Sequence, residues 1–189
     1  MTKKNLRNMI GYGSRGKNVS WPNNAKLALQ IVLNYEEGGE NTILNGDKYS
    51  ETFLSEIIGA KPIKGRHVSM ESIYEYGSRV GFWRLDKLFK EKKIPVTIFG
   101  VGLALKQNPE ICDAIKKGDY EIAAHGYRWI DYQNIKKSVE KKHMQQAIKT
   151  IKEIFGSRPL GWYTGRCSPN TRDLVFDDGG FLYDSDSYS

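Results

Sequence analysis

From residue 94 onward, apolar runs of strand length alternate with apolar positions at helical spacing. Residues 94–100 (IPVTIFG) are apolar and β-branched almost throughout, the pattern of a parallel strand covered on both faces. Before them Phe82, Leu85, Leu88 and Phe89 recur at helical spacing. Pro109, followed by Ile111, Ala114 and Ile115 and stopped by Gly118, predicts a short helix. Residues 120–124 read as the next strand. Val139, Ala147, Ile148, Ile151, Ile154 and Phe155 then trace the apolar stripe of a longer helix ending at Gly156. Residues 160–164 read as a further strand, Asn170 and Thr171 as the cap of a helix that ends at Gly179 and Gly180, and residues 181–183 as the start of another strand. With residues 26–33 this makes about five strands separated mostly by helices, which predicts a parallel α/β sheet or a (β/α) barrel.

Two places break the alternation. Residues 37–70 form a long connection rich in Gly, Asn and Ser, with one helical patch expected over 52–58. Connections of that length inside a compact domain are usually functional. At the other end the chain stops directly after a strand, whereas a (β/α) barrel needs more strands to close. We therefore expect a single domain over residues 1–189 that forms the N-terminal part of a longer protein.

Composition narrows the classes. At 189 residues, 39% hydrophobic and 27% charged, the chain reads as globular and large enough to bury a core. No apolar run approaches the roughly 20 residues of a membrane span, so no membrane partner is expected. Residues 1–10 are basic but carry no apolar signal-peptide core, and a cytoplasmic location is the expectation. The net charge of +7 does not read as nucleic-acid binding. Its lysines, at 87, 90, 92 and 93 and again at 136, 137, 141 and 142, are interspersed with glutamates and lack interleaved aromatics. Cys112 fits burial beside Ile111 and Ile115; Cys167, beside Arg166, is the one thiol where a depressed pKa is conceivable. His143 lies among lysines and is expected at the surface, and His67 in the long connection is a candidate substrate contact.

The candidate chemistry sits where strands are predicted to end, the place α/β folds put their reacting groups. Asn34, Tyr35, Glu36 and Glu37 follow the first strand; His125 and Gly126 follow the third. Consecutive strand residues point to opposite faces, so on a strand only one of Glu36 and Glu37 can face a site comfortably, whereas at the strand's end the backbone can turn and present both. A carboxylate and a histidine together suit general acid/base or metal-assisted hydrolysis. Gly161, Trp162, Tyr163, Thr164, Gly165 and Arg166 lie at and just past the end of the fourth strand, and Arg166 offers a rigid fork of donors for a carboxylate, urea or ring carbonyl.

Taken in order, IGYG (10–13), WPNNAKLALQIVLNYEEGGEN (21–41), SMESIYEYGSRVGFWRL (69–85), PVTIFGVGLAL (95–105), EIAAHGYRWIDY (121–132), RPLGWYTGRCSPNTR (158–172) and GGFLYDSDSY (179–188) resemble the polysaccharide deacetylase-like family. Within it, they resemble the allantoinase branch, which opens a ureide ring without a bound metal. The resemblance implies a distorted (β/α) barrel of the NodB-homology type, here incomplete at its C-terminus. In metal-dependent members an Asp-Asp pair ends the first strand, and two histidines four residues apart complete the metal site. Those positions fall here on Glu36 and Glu37 and on His125 and Trp129. Indole donates a hydrogen bond but does not ligate a cation, and catalytic zinc usually keeps three protein ligands.

The resemblance thus implies hydrolysis of the ring amide of allantoin to allantoate, with no cofactor. Glu36 and His125 would be catalytic, and Glu37, Trp129, Tyr163 and Arg166 would bind substrate. The expected partner is a small-molecule ureide, with homo-oligomerisation left open. Three alternatives accompany it: a zinc-dependent deacetylase of N-acetylated carbohydrate, a catalytically inactive ureide- or carbohydrate-binding domain, and a fragment without activity of its own.

Overall fold

A computed structural model describes residue 7 and residues 9–188. The first six positions, Asn8 and Ser189, and with them most of the basic N-terminal stretch, lie outside the described residues. Five strands form one sheet: β1 (Ile31–Tyr35), β2 (Val96–Gly100), β3 (Glu121–Ala124), β4 (Gly161–Trp162) and β5 (Tyr183–Asp184). All neighbours are parallel, and the spatial order β1-β2-β3-β4-β5 repeats the chain order. A doubly wound sheet would reverse its order at a switch point; an uninterrupted sequential order is the wall of a (β/α) barrel.

The helices are α1 (Val68–Tyr76), α2 (Phe82–Lys92), α3 (Gly102–Gln107), α4 (Pro109–Lys117), α5 (Lys137–Phe155) and α6 (Thr171–Asp178). Every residue of β2 is buried, as its unbroken apolar run demands. β1 instead alternates, burying Tyr35 fully and leaving Val32 and Asn34 exposed, the pattern of a strand covered on one face. Ile98, Val101, Leu105, Ile111, Ile115, Ala147 and Ile151 are buried almost completely and pack between the sheet and helices α3 to α5.

Four expectations shift. The first strand lies at 31–35, later than the apolar run of 26–33, because only Ile31 onward finds a partner on β2; Leu27 and Leu29 are exposed. No helix forms over 52–58, which is a string of turns. A helix instead begins at the end of the long connection: α1 runs through a π-helical turn (Gly77–Gly81) directly into α2. On α5 the buried stripe is Glu140, Met144, Ala147 and Ile151, whereas Val139 is exposed. A buried glutamate heads that stripe because Ser168 Oγ and Thr171 Oγ1 both donate to its carboxylate, at 2.6 and 2.5 Å. Among the described residues no helix is long and apolar enough to cross a membrane.

Candidate active site

One line of strand pairing assembles the site. Tyr35 pairs with Gly100, Gly100 with Ala124, Ala124 with Trp162 and Trp162 with Asp184, so the C-terminal ends of all five strands lie in register. The residues one step beyond, Glu36, His125 and Tyr163, therefore emerge side by side although 89 and 38 positions separate them along the chain. Immediately after His125 the backbone takes φ +72° at Gly126, a left-handed conformation that a side chain would strain.

The geometry of this trio is specific. His125 is 2% exposed; its Nδ1 lies 2.7 Å from the Tyr163 carbonyl oxygen and its Nε2 2.8 Å from Glu36 Oε1. A carbonyl can only accept, so Nδ1 carries a proton and donates it. Nε2 and Glu36 then share one further proton, held either as imidazolium and carboxylate or as imidazole and carboxylic acid. The imidazole is stacked on the Tyr163 ring, centroids 4.9 Å apart and planes within 3°, and Phe99 packs against both. Glu36 Oε1 also accepts from Asn34 Nδ2 at 3.1 Å. Among the described residues Oε2 accepts no hydrogen bond, which leaves it as the oxygen available to water or substrate, in a side chain 19% exposed.

Glu37 goes elsewhere. Its Oε2 accepts from the Glu36 backbone N–H at 3.0 Å, and its other oxygen lies over Gly77, where any Cβ would collide with it. It lines a cleft of 430 Å³ with Tyr35, Ser78 and Arg79. Burial pushes its carboxyl above the ordinary range despite the backbone hydrogen bonds. Two adjacent glutamates thus occupy two different environments.

Trp129 and Arg166 form a second cluster. Trp129 is buried, with its indole edge-to-face against Phe53 and Tyr74 at 6.0 and 5.9 Å. The Arg166 guanidinium lies 4.2 Å from the indole centroid and 4.8 Å from the Phe53 ring, and Nη1 donates to Glu51 Oε2 at 3.1 Å. Burial pushes the Glu51 carboxyl up, but N–H groups of Thr52 and Phe53 together with Arg166 outweigh it and hold it below its usual value.

Several contributors escaped the sequence reading. Arg128 donates to the carbonyls of Gly39 and Glu40 and pairs with Asp47, bracing the start of the long connection. Asp186 accepts from the N–H groups of Thr164 and Gly165 at 2.8–3.0 Å and pins the turn that carries Arg166. Tyr74, on α1, brings its ring against Trp129. Arg128 stood in view inside the HGYRW stretch and Tyr74 inside the mixed polar and aromatic run 74–79; Asp186 carried no local signal.

Two smaller readings are corrected, those of His143 and Cys167. His143 is half-buried, where Tyr132 Oη meets its Nδ1 at 3.0 Å, and burial lowers its pKa. The Cys167 thiol is pushed up by burial, not down, so no activated thiolate is built there. His67 precedes α1 and lines a cavity of 10 Å³ with Ser50, Glu51 and Tyr74, apart from the Glu36–His125 pair. Cys112 is buried as expected, its thiol raised to about 11 by burial.

A family model described as polysaccharide deacetylase matches residues 66–179. The chain belongs to the polysaccharide deacetylase family. A relative from Schizosaccharomyces pombe, named a putative polysaccharide deacetylase, is 42% identical over 94% of this chain and 59% of its own length. Among solved structures, the PuuE allantoinase is 54% identical and superimposes with a TM-score of 0.93, over 98% of this chain and 62% of that one. A probable polysaccharide deacetylase from Pseudomonas aeruginosa is 55% identical with the same TM-score, over 97% and 62%. The chain therefore spans about three-fifths of the length of these relatives.

Metal-dependent members of this family place a cation beside the strand-end carboxylates. The residues here do not fit one. His125 has both ring nitrogens engaged, by Glu36 and by the Tyr163 carbonyl. The position four residues on is an indole that carries a guanidinium on its ring, and a second positive charge there would be repelled. Among the described residues no three His, Cys, Asp or Glu side chains converge as a metal-holding group.

Proposed function

We propose that the protein hydrolyses the ring amide of allantoin, or a closely related cyclic ureide, without a metal ion. The observation that carries this reading is the Glu36–His125 pair, set in a site where indole and guanidinium replace a further metal ligand. The 54% identity to the PuuE allantoinase supports it.

In this mechanism Glu36 Oε2 removes a proton from water as the water oxygen bonds to the ring carbonyl carbon. The carbon–nitrogen bond then breaks, and the same carboxyl delivers that proton to the leaving nitrogen. His125 does not touch the substrate in this arrangement. It holds its own proton against Oε1 and orients the carboxylate, with the Tyr163 carbonyl fixing its tautomer. Arg166 and Trp129 bind the ureide, the guanidinium meeting the developing oxyanion. The Tyr163 phenol, raised to about 12 by its hydrogen bond to Tyr188 and by burial, stays protonated as a wall of the site. Positioning on this rigid rung supplies what acid/base help of roughly 10²–10⁴-fold leaves over.

The test is allantoin turnover by the full-length protein with and without a strong chelator. Turnover indifferent to chelator is expected. Loss of turnover that zinc restores would show that a metal acts at this site. A second reading, deacetylation of N-acetylated carbohydrate, is favoured by the name of the 55% identical Pseudomonas structure. Acetate release from N-acetylglucosamine oligomers, with allantoin untouched, would establish it.

A further inference from the structure

Two buried side-chain polar atoms among the described residues have no hydrogen-bond partner, Arg158 Nε and the Tyr74 hydroxyl. Arg158 has other donors, and Asp178 accepts from one of them, Nη2. A phenol has a single polar group, so at Tyr74 the entire hydrogen-bonding capacity is unused in a side chain only 6% exposed. Buried polar groups are ordinarily satisfied, and the exceptions call for a reason. The surroundings supply one. The ring packs on Trp129, which also carries Arg166 and Phe53. Tyr74 lines a small cavity with Glu40 and Glu51, and the charges of Glu36 and Arg166 also act on its phenol. Through Trp129 it joins the cluster that holds Arg166.

We infer that Tyr74 is a substrate-binding residue whose hydroxyl donates a hydrogen bond to a carbonyl oxygen of a neutral cyclic amide or ureide. This rests on the proposed reading of the site and adds to it a named donor and a charge preference. The negative charges of Glu40, Glu51 and Glu36 act on the phenol, so an anionic ligand group would be repelled, whereas a neutral carbonyl needs only a donor. Burial first, and then the negative charges of Glu40, Glu51 and Glu36, raise the phenol's pKa and keep it protonated for that task. A ligand reaches it by a side-chain movement, and Phe53, 66% exposed on the same indole, has room to move.

The experiment compares wild type with Tyr74→Phe, which keeps the ring on Trp129 and removes only the hydroxyl. Steady-state hydrolysis of allantoin and the melting temperature, with and without saturating allantoin, are measured on both. We expect kcat/KM to fall about tenfold, mainly through KM, while the ligand-free melting temperature holds or rises, because an unsatisfied buried group has been removed. An unchanged kcat/KM would overturn the inference. So would a ligand-free melting temperature lowered by several degrees, which would mean that the hydroxyl serves the fold through an internal partner such as a water. Should wild type turn over no allantoin, the proposed reaction falls, and melting shifts with allantoin and with N-acetylglucosamine decide Tyr74 separately. A shift present in wild type and missing in Tyr74→Phe would retain the donor role, and no shift in either would remove it.

Discussion

The two halves of the candidate site are built on different supports. Glu36, His125 and Tyr163 leave the sheet one residue past a common rung, and backbone pairing alone brings them together. Trp129, Arg166, Glu51, Phe53 and Tyr74 come from loops and from α1, and ring contacts, one ion pair and single loop hydrogen bonds, not a strand ladder, hold them in place. The first half is as rigid as the barrel wall. The second depends on side-chain packing that a single substitution can undo. Proton transfer tolerates little displacement, and substrate binding must admit and release a molecule, so the division of support matches the division of labour.

The comparison makes predictions that differ in size. The largest concerns the rigid half: Glu36→Gln removes the base and leaves the ladder untouched. Turnover should fall by at least about 10²-fold with the circular dichroism spectrum and melting temperature near wild type. A near-normal rate would take Glu36 out of the proton-transfer role. Next, Arg166→Lys keeps the charge but loses the planar stack on Trp129 and the bond geometry to Glu51. A drop of about tenfold in kcat/KM is expected, carried mostly by KM, and steady-state kinetics on allantoin would check it.

The support itself can be weakened without touching the site. Ile151→Ala empties a fully buried position on α5 and should cost about 2–5 kcal/mol by denaturant unfolding, with kcat at low temperature little changed. The smallest effect falls on Glu37. Its folded-state pKa is raised by burial, so the folded protein binds that proton more tightly than the unfolded chain. Stability should then fall as pH rises from the ordinary carboxylate range through the raised value. Glu37→Gln should flatten that part of the stability profile and change turnover little, because Glu37 faces Gly77 and not the Glu36–His125 pair.

Much of the fold was legible locally. Residues 94–100 could be little other than a buried strand, and α4 and α5 end at the glycines that close their apolar patterns, Gly118 and Gly156. The shift of β1 was not legible, since the apolar residues 26–30 look like a strand until the ladder shows where pairing begins. The helix at 68–76 was missed because its stripe is short and mixed, with Met70 and Tyr74 its only buried residues.

The Glu36–Glu37 pair draws the same boundary inside two residues. The chain itself determined that two carboxylates follow an apolar strand and that a histidine and then an indole follow another, because residue types and strand periodicity are local properties. Whether the two glutamates point together or apart it left open, since both lie past the last strand residue, where the backbone can turn. Which of them meets His125, and that Trp129 carries a guanidinium and not a metal-binding neighbour, was decided only by tertiary structure. Those outcomes depend on the register of parallel strands whose residues lie far apart in the chain, and on a turn pinned by Asp186 from beyond the fifth strand. No local pattern encodes such pairings; they exist once the core has packed.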